Sequence, residues 1–344
     1  MHTAIFPVTW PGPLVDPVIL RKSGLIEYVS CGDTRQSNAA QWAGRTTLPA
    51  IFLSLHPCVL LGDVCATIKA NKMTRRIFFL GLITYGLLTG LIYRIVALID
   101  RIGWTDAAVY VFSISVIVWV AIYIGVDLIA ADDDDEPVGK LDEVVGIIGL
   151  LLCSIPYAPE CWLGVTILTG WLVITTVPQT SMHRGALILL ATSFPMLWSR
   201  VIFRFLSEPI LLADAWIVAK LLNTANEGTH IYFADKSGVL EVSPACSSWA
   251  NVSLVLLTWI VLCQYQKRAW QLLDLGWYAL VILTVVGINT IRMAMMGISE
   301  QYYVLIHGTV GSTITSWMIV GATVVLCLWG TRSSRMKNQK SIRI

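Results

Sequence analysis

The chain has 344 residues, 56% of them hydrophobic and 13% charged, with a mean hydropathy of +0.70. That is more apolar surface than one water-soluble core can hide, so the chain reads as a polytopic membrane protein. A net charge of +2, with no Lys/Arg block long enough to follow a phosphate backbone, excludes nucleic acid as a partner. The eight cysteines form no CxxC pair and have no histidine at zinc-site spacing, so neither a metal site nor a disulfide framework is signalled.

Residues 1–72 contain prolines and are only patchily apolar. They show no clear signal-peptide pattern and read as a flexible extension or as a misassigned start, because "MTRRIFFLGLITYGLLTG" from Met73 has the character of a membrane-protein start. Eight apolar runs then follow, at about 77–99, 107–130, 143–156, 161–177, 185–199, 249–263, 271–293 and 305–329. Each approaches the roughly 20 residues that cross a hydrocarbon core. The expected architecture is therefore all-α, with eight transmembrane helices over residues 73–331 and a basic tail over 332–344.

Lys and Arg set the orientation. Lys72, Arg75 and Arg76, the loop residues Lys267 and Arg268, and the tail residues Arg332, Arg335, Lys337, Lys340 and Arg343 all belong inside. The run "DDDDE" over 132–136 falls on the same side and reads as a solvated loop. Cys153 and Cys161 flank the outer loop "SIPYAPE", where they either pair or stay free. Residues 199–222 carry Arg200, Arg204, Glu208, Asp214 and Lys220, too many charges to cross lipid cheaply, and are expected to lie as an amphipathic helix on the outer surface. Two β-prone runs, Ile231 to Phe233 and Val239 to Val242, enclose the turn residues Asp235 to Gly238 and predict a hairpin.

The hairpin leads to Cys246, and the next helix is expected to start at or just after it, where unpaired amides favour a thiolate. Counting spans from the basic tail puts Cys246, Arg292 and His307 on one outer face. A thiolate attacks carbonyls, an imidazole serves as base and then acid, and a guanidinium stabilises an oxyanion. Asn289, three residues before Arg292, is placed to orient the guanidinium or a substrate carbonyl, and Ser247 adjoins the thiol.

With these residues in view, "ACS" after a hairpin, "NTIR" at the outer end of the next helix but one, and "HG" at the last helix resemble the exosortase and archaeosortase family of membrane transpeptidases. The resemblance implies Cys246, Arg292 and His307 as catalytic residues in a multi-pass protein of the cell (inner) membrane with its active site on the outer face. It implies, as substrates, exported proteins with a short carboxy-terminal motif, often of Pro-Glu-Pro type, then a transmembrane helix and a basic tail. No metal or organic cofactor is implied. Ser248 departs from the glycine usual after "CS" in that family. The competing class is a membrane transporter or an assembly scaffold for exported polymers, in which Arg292 and His307 line a pathway.

Overall fold

The structure is a computed structural model that describes residues 18–22, 25–29, 73–109, 111–133, 136–155, 158–268 and 272–341. The rest of the amino-terminal extension lies outside the described residues. The helices are α1 (Arg75–Ile102), α2 (Trp104–Val109), α3 (Val116–Ala130), α4 (Lys140–Ser154), α5 (Ala158–Thr175), α6 (Ser181–Ser193), α7 (Ser199–Leu222), α8 (Trp249–Tyr265), α9 (Leu272–Met296), α10 (Glu300–His307) and α11 (Thr309–Ser341). Arg75–Ile102, the continuous run Ser181–Leu222, Asp274–Met296 and Val310–Arg332 are long and apolar enough to cross a membrane, while Val116–Ala130, Pro159–Thr175 and Trp249–Tyr265 are shorter apolar helices. Large apolar side chains such as Leu88, Leu283, Ile314, Trp317 and Trp329 stand outward and exposed, a surface that water would penalise and lipid does not.

Three expectations change in detail. The run at 107–130 is broken, because a turn over Val111–Ser113, with Phe112 at φ 56°, separates α2 from α3. The outer amphipathic helix does not start afresh at residue 199, since a π-helical turn over Phe194–Trp198 absorbs Pro195 and carries α6 directly into α7. The last run is split at Gly308: His307 closes the short α10, and the final helix begins at Thr309 and continues through the basic tail to Ser341. A side chain on Gly311 would fall 2.4 Å from the Ile306 carbonyl oxygen, so the chain turns there only with glycine.

The chain divides into two compact units, one formed by 1–45, 206–248 and 287–317 and the other by 46–205, 249–286 and 318–344. The larger, helical unit is packed around Phe79, Ile83, Trp162, Leu168, Leu189 and Leu257, all almost inaccessible. Small residues let its helices approach: Gly86 and Gly164 each face the Cys153 sulfur, and Gly185 lies against the Gly125 backbone. Cys153 and Cys161 are free thiols, each directed at the other's carbonyl oxygen, at 3.7 and 3.3 Å.

A string of polar ties runs across one end of this unit. Arg75 bridges to Asp142 at 3.1 Å and donates to Thr175, and Asp142 also accepts from Trp171 Nε1 at 2.6 Å and caps α4 through the Gly139 amide at 3.0 Å. Arg76 donates to the Asp132 carbonyl, and the Asp132 carboxylate accepts the Met182 amide at 2.6 Å, so the first residue of the acidic run is a buried helix cap and not a solvated side chain. Arg184 donates to the Gln264 carbonyl at 2.7 Å, and Arg268 joins Asp274 to the Thr331 carbonyl. The starts of α1, α4, α6 and α9 thus meet the ends of α3, α5 and α8 and the turn of α11 at Thr331.

In the smaller unit the hairpin is present, with strands β4 (His230–Tyr232) and β5 (Gly238–Glu241) antiparallel and Ile231 opposite Leu240. β3 (Asn226–Glu227) pairs with β4, and β1 (Val18–Lys22) and β2 (Leu25–Val29) extend the sheet in the order β2-β1-β5-β4-β3. The turn carboxyl of Asp235 is held below its ordinary value by hydrogen bonds from the Ser237 hydroxyl and amide. The amides of Ala234 and Asp235 donate to the carbonyls of Gly297 and Ile298 just past α9, which pins the hairpin to that helix end.

Because Arg75 and Asp142 are both buried, Asp142→Ala strands a guanidinium and an indole N–H. We expect a loss of about 3–5 kcal/mol, read as a lower unfolding midpoint in mild detergent; an unchanged midpoint contradicts the central place given to these ties.

Candidate functional site

The smaller unit holds every candidate residue. Cys246 ends a single 3₁₀ turn, Pro244–Cys246, whose proline fixes the backbone and stops the hairpin from continuing. Helix α8 starts at Trp249, so the thiol stands just before the helix. Its side chain is buried, 3% exposed, and the Ser243 hydroxyl donates to the sulfur at 3.7 Å.

Two side chains grip the peptide that follows the thiol. From α9, Asn289 Nδ2 donates to the Cys246 carbonyl at 2.6 Å and to the Ser248 hydroxyl oxygen at 3.0 Å, which uses both of its amide protons. That amide therefore holds the cysteine's own backbone and has no donor left for another acceptor. From α7, the Asp214 carboxylate accepts the Ser247 hydroxyl and the Ser248 backbone amide. Ser248 is the hinge of the arrangement, donating through its backbone to one clamp and accepting through its side chain from the other. A glycine there keeps the first bond and loses the second.

Asp214 is the functional residue that sequence reasoning missed, since it reads there only as one of several surface charges. A signal was present: it lies three residues after Leu211 and four before Val218, in the stripe Leu211, Ala215, Val218 and Ala219 that is buried along α7. A carboxylate on the apolar stripe of an amphipathic helix must have donors, and here they come from the cysteine segment. One of its oxygens, Oδ2, is buried without a hydrogen-bond partner.

Arg292 lies one turn beyond Asn289 on α9, partly buried, and its Nε–H is buried without a hydrogen-bond partner. His307 closes α10 with its ring stacked on Tyr303, centroids 4.9 Å apart and planes 16° from parallel. The hydrogen bonds join Cys246, Ser247 and Asn289 into one assembly; Arg292 is placed by α9 one turn beyond Asn289, and His307 is placed by α10 against Tyr303. No family model matches the chain, and no curated protein or solved structure is significantly similar to it.

The clamp makes a checkable statement about the thiol. Losing a hydrogen bond to a charged group costs about 1.5–3 kcal/mol, so Asp214→Ala should loosen the segment and speed alkylation of Cys246 by a small, uncharged reagent roughly tenfold or more. Ser247→Ala added to Asp214→Ala should change the rate little further, since the bond it removes is already lost in Asp214→Ala. Equal rates in wild type and Asp214→Ala, or fully additive effects, contradict the clamp.

Proposed function

We propose that this protein is a membrane cysteine transpeptidase that cleaves carboxy-terminal sorting signals of exported proteins and passes them to an acceptor. The observation that carries the reading is the buried Cys246 peptide held between Asp214 and Asn289, with the guanidinium of Arg292 one turn away and one N–H unspent. A structural cysteine needs no such support. A buried donor left unpaired costs about 1–3 kcal/mol, a cost removed when an anion arrives.

In this mechanism His307 takes the Cys246 proton and the sulfur attacks the scissile carbonyl carbon. The C–S bond forms as the carbonyl π pair moves onto oxygen, and Arg292 donates to that oxyanion. Collapse breaks the C–N bond, with His307 giving its proton to the leaving amine, and leaves an acyl thioester on Cys246. An acceptor amine then forms the new C–N bond as the C–S bond breaks, and its proton passes through His307 back to sulfur; water in place of the amine gives hydrolysis. No metal or organic cofactor enters any of these steps.

The topology proposed with this chemistry has eight spans in the cell (inner) membrane, with the Lys/Arg-bearing end inside and the cysteine segment outside. The ties that gather alternating helix starts and ends in the helical unit support an even number of crossings. The substrate class remains the one the family resemblance implies: a short motif, one apolar helix and a basic tail. A helix of that kind held beside the enzyme presents its scissile bond at membrane-surface depth.

Two experiments test this. In intact cells an impermeant thiol reagent should label Glu227→Cys over the parent protein, and label Lys267→Cys only after permeabilisation; the reverse pattern overturns the orientation. Cys246→Ala should abolish processing while leaving the protein inserted. Arg292→Lys should be severely impaired because an ammonium does not reproduce the planar fork, and His307→Ala should slow processing about 10² to 10⁴-fold. Normal processing by Cys246→Ala rules out the covalent mechanism.

A further inference from the structure

The helical unit contains two cations that the proposed chemistry does not use. Arg94, on α1, is partly buried, and among the described residues its one hydrogen bond runs from Nη1 to the Met196 sulfur at 3.6 Å, a weak acceptor for a charged donor. Arg200, also partly buried, stands at the start of α7 about one helical turn beyond Met196, the residue that Arg94 reaches, and the two guanidiniums interact electrostatically. Among the described residues, neither has a carboxylate within ion-pair distance. Two like charges drawn together in a partly desolvated place, with ten N–H donors between them and, among the described residues, a thioether as acceptor, favour an anion.

Their depth narrows the ligand. Arg94 lies about nineteen residues beyond Arg75, and Arg200 about nineteen beyond Ser181, each measured along a helix that begins at the polar ties. At 1.5 Å per residue both stand roughly 28 Å from that end, close to the thickness of a hydrocarbon core of about 30 Å. If the tied end marks one membrane boundary, the pair lies at the level of the other leaflet's phosphates. Arg204, exposed one turn further along α7, adds positive charge beyond it.

We propose that Arg94 and Arg200 form a binding site for a phosphate group, the phosphodiester of an anionic lipid headgroup being the form their depth favours. The guanidinium forks take the phosphate oxygens, and the ligand's negative charge cancels the repulsion between the arginines. The site uses neither Cys246, Arg292 nor His307, so it stands or falls apart from the transpeptidase reading; it rests only on α1 and α6–α7 crossing the bilayer.

The test uses the full chain, purified in a neutral detergent and washed free of lipid, with native mass spectrometry as readout. Phosphatidylglycerol should bind to the wild-type protein in clear preference to a diacylglycerol of the same chains, and Arg94→Gln with Arg200→Gln should lower its affinity about a hundredfold, tenfold for each charge-assisted hydrogen-bonding fork removed. Arg94→Lys with Arg200→Lys, which keeps both charges, should retain the preference at reduced affinity. Millimolar inorganic phosphate that leaves phosphatidylglycerol bound assigns the site to the lipid headgroup; phosphate that displaces it assigns the same site to a soluble phosphate compound. A wild-type protein with no preference for phosphatidylglycerol over diacylglycerol, or a double glutamine variant that binds as wild type does, overturns the proposal.

Discussion

The smaller unit depends on how a polar, proline-bearing peptide is buried beside apolar helices. Backbone and hydroxyl groups of Cys246, Ser247 and Ser248 leave water, and each unpaired one costs on the order of 1–3 kcal/mol. Asp214 and Asn289 meet that demand from two helices, the first accepting from Ser247 and Ser248, the second donating to Cys246 and Ser248. Other features of the unit follow from the same requirement. Helix α7 places a carboxylate on its buried stripe, α9 places an amide one turn before Arg292, and the hairpin is tied to the end of α9 by the Ala234 and Asp235 amides. A thiol on a segment fixed at so many points has little conformational freedom to lose on meeting a carbonyl, which is the condition for efficient attack.

The helical unit solves a different problem, keeping many apolar helices in order without water to drive them together. Glycines at close crossings provide van der Waals contact, and at one end Arg75, Asp142, Asp132, Arg184 and Arg268 close off helix termini that would otherwise end in unpaired groups. The charges that give a positive-inside pattern therefore also serve as helix caps and interhelix bridges. Arg94 and Arg200 stand out because they have no such assignment inside the protein.

Much of this is readable in the residues. Helix positions follow from runs of apolar residues, since a membrane-length run leaves few alternatives, and the hairpin follows from β-prone stretches around Asp235 to Gly238. The failures come where local backbone chemistry outweighs composition. A π-helical turn accommodates Pro195, so charge density at 199–222 marks no break, and Gly308 with Gly311 splits a run that hydropathy reads as continuous. Residue type and order point to Cys246, Ser247 and Asn289 and leave Asn289 to orient either the Arg292 guanidinium or a substrate carbonyl, but they do not show that its amide donors go to the cysteine peptide. Asp214 escapes because a charge in a charged segment looks solvated until its place on the buried stripe is worked out. Asp132 escapes for the same reason at the end of α3.

The central claim is that Cys246 forms the covalent bond, and it can be tested on the protein itself. The full-length protein is mixed with an exported protein from the same cell that ends in a shared short motif, one apolar helix and a basic tail, quenched in acid within the first turnover, and digested for mass spectrometry. The account predicts a peptide containing Cys246 that carries the substrate's acyl fragment and releases it on treatment with neutral hydroxylamine, as a thioester does. Cleavage with the acyl fragment on any other residue, or turnover with Cys246 never acylated, would contradict it.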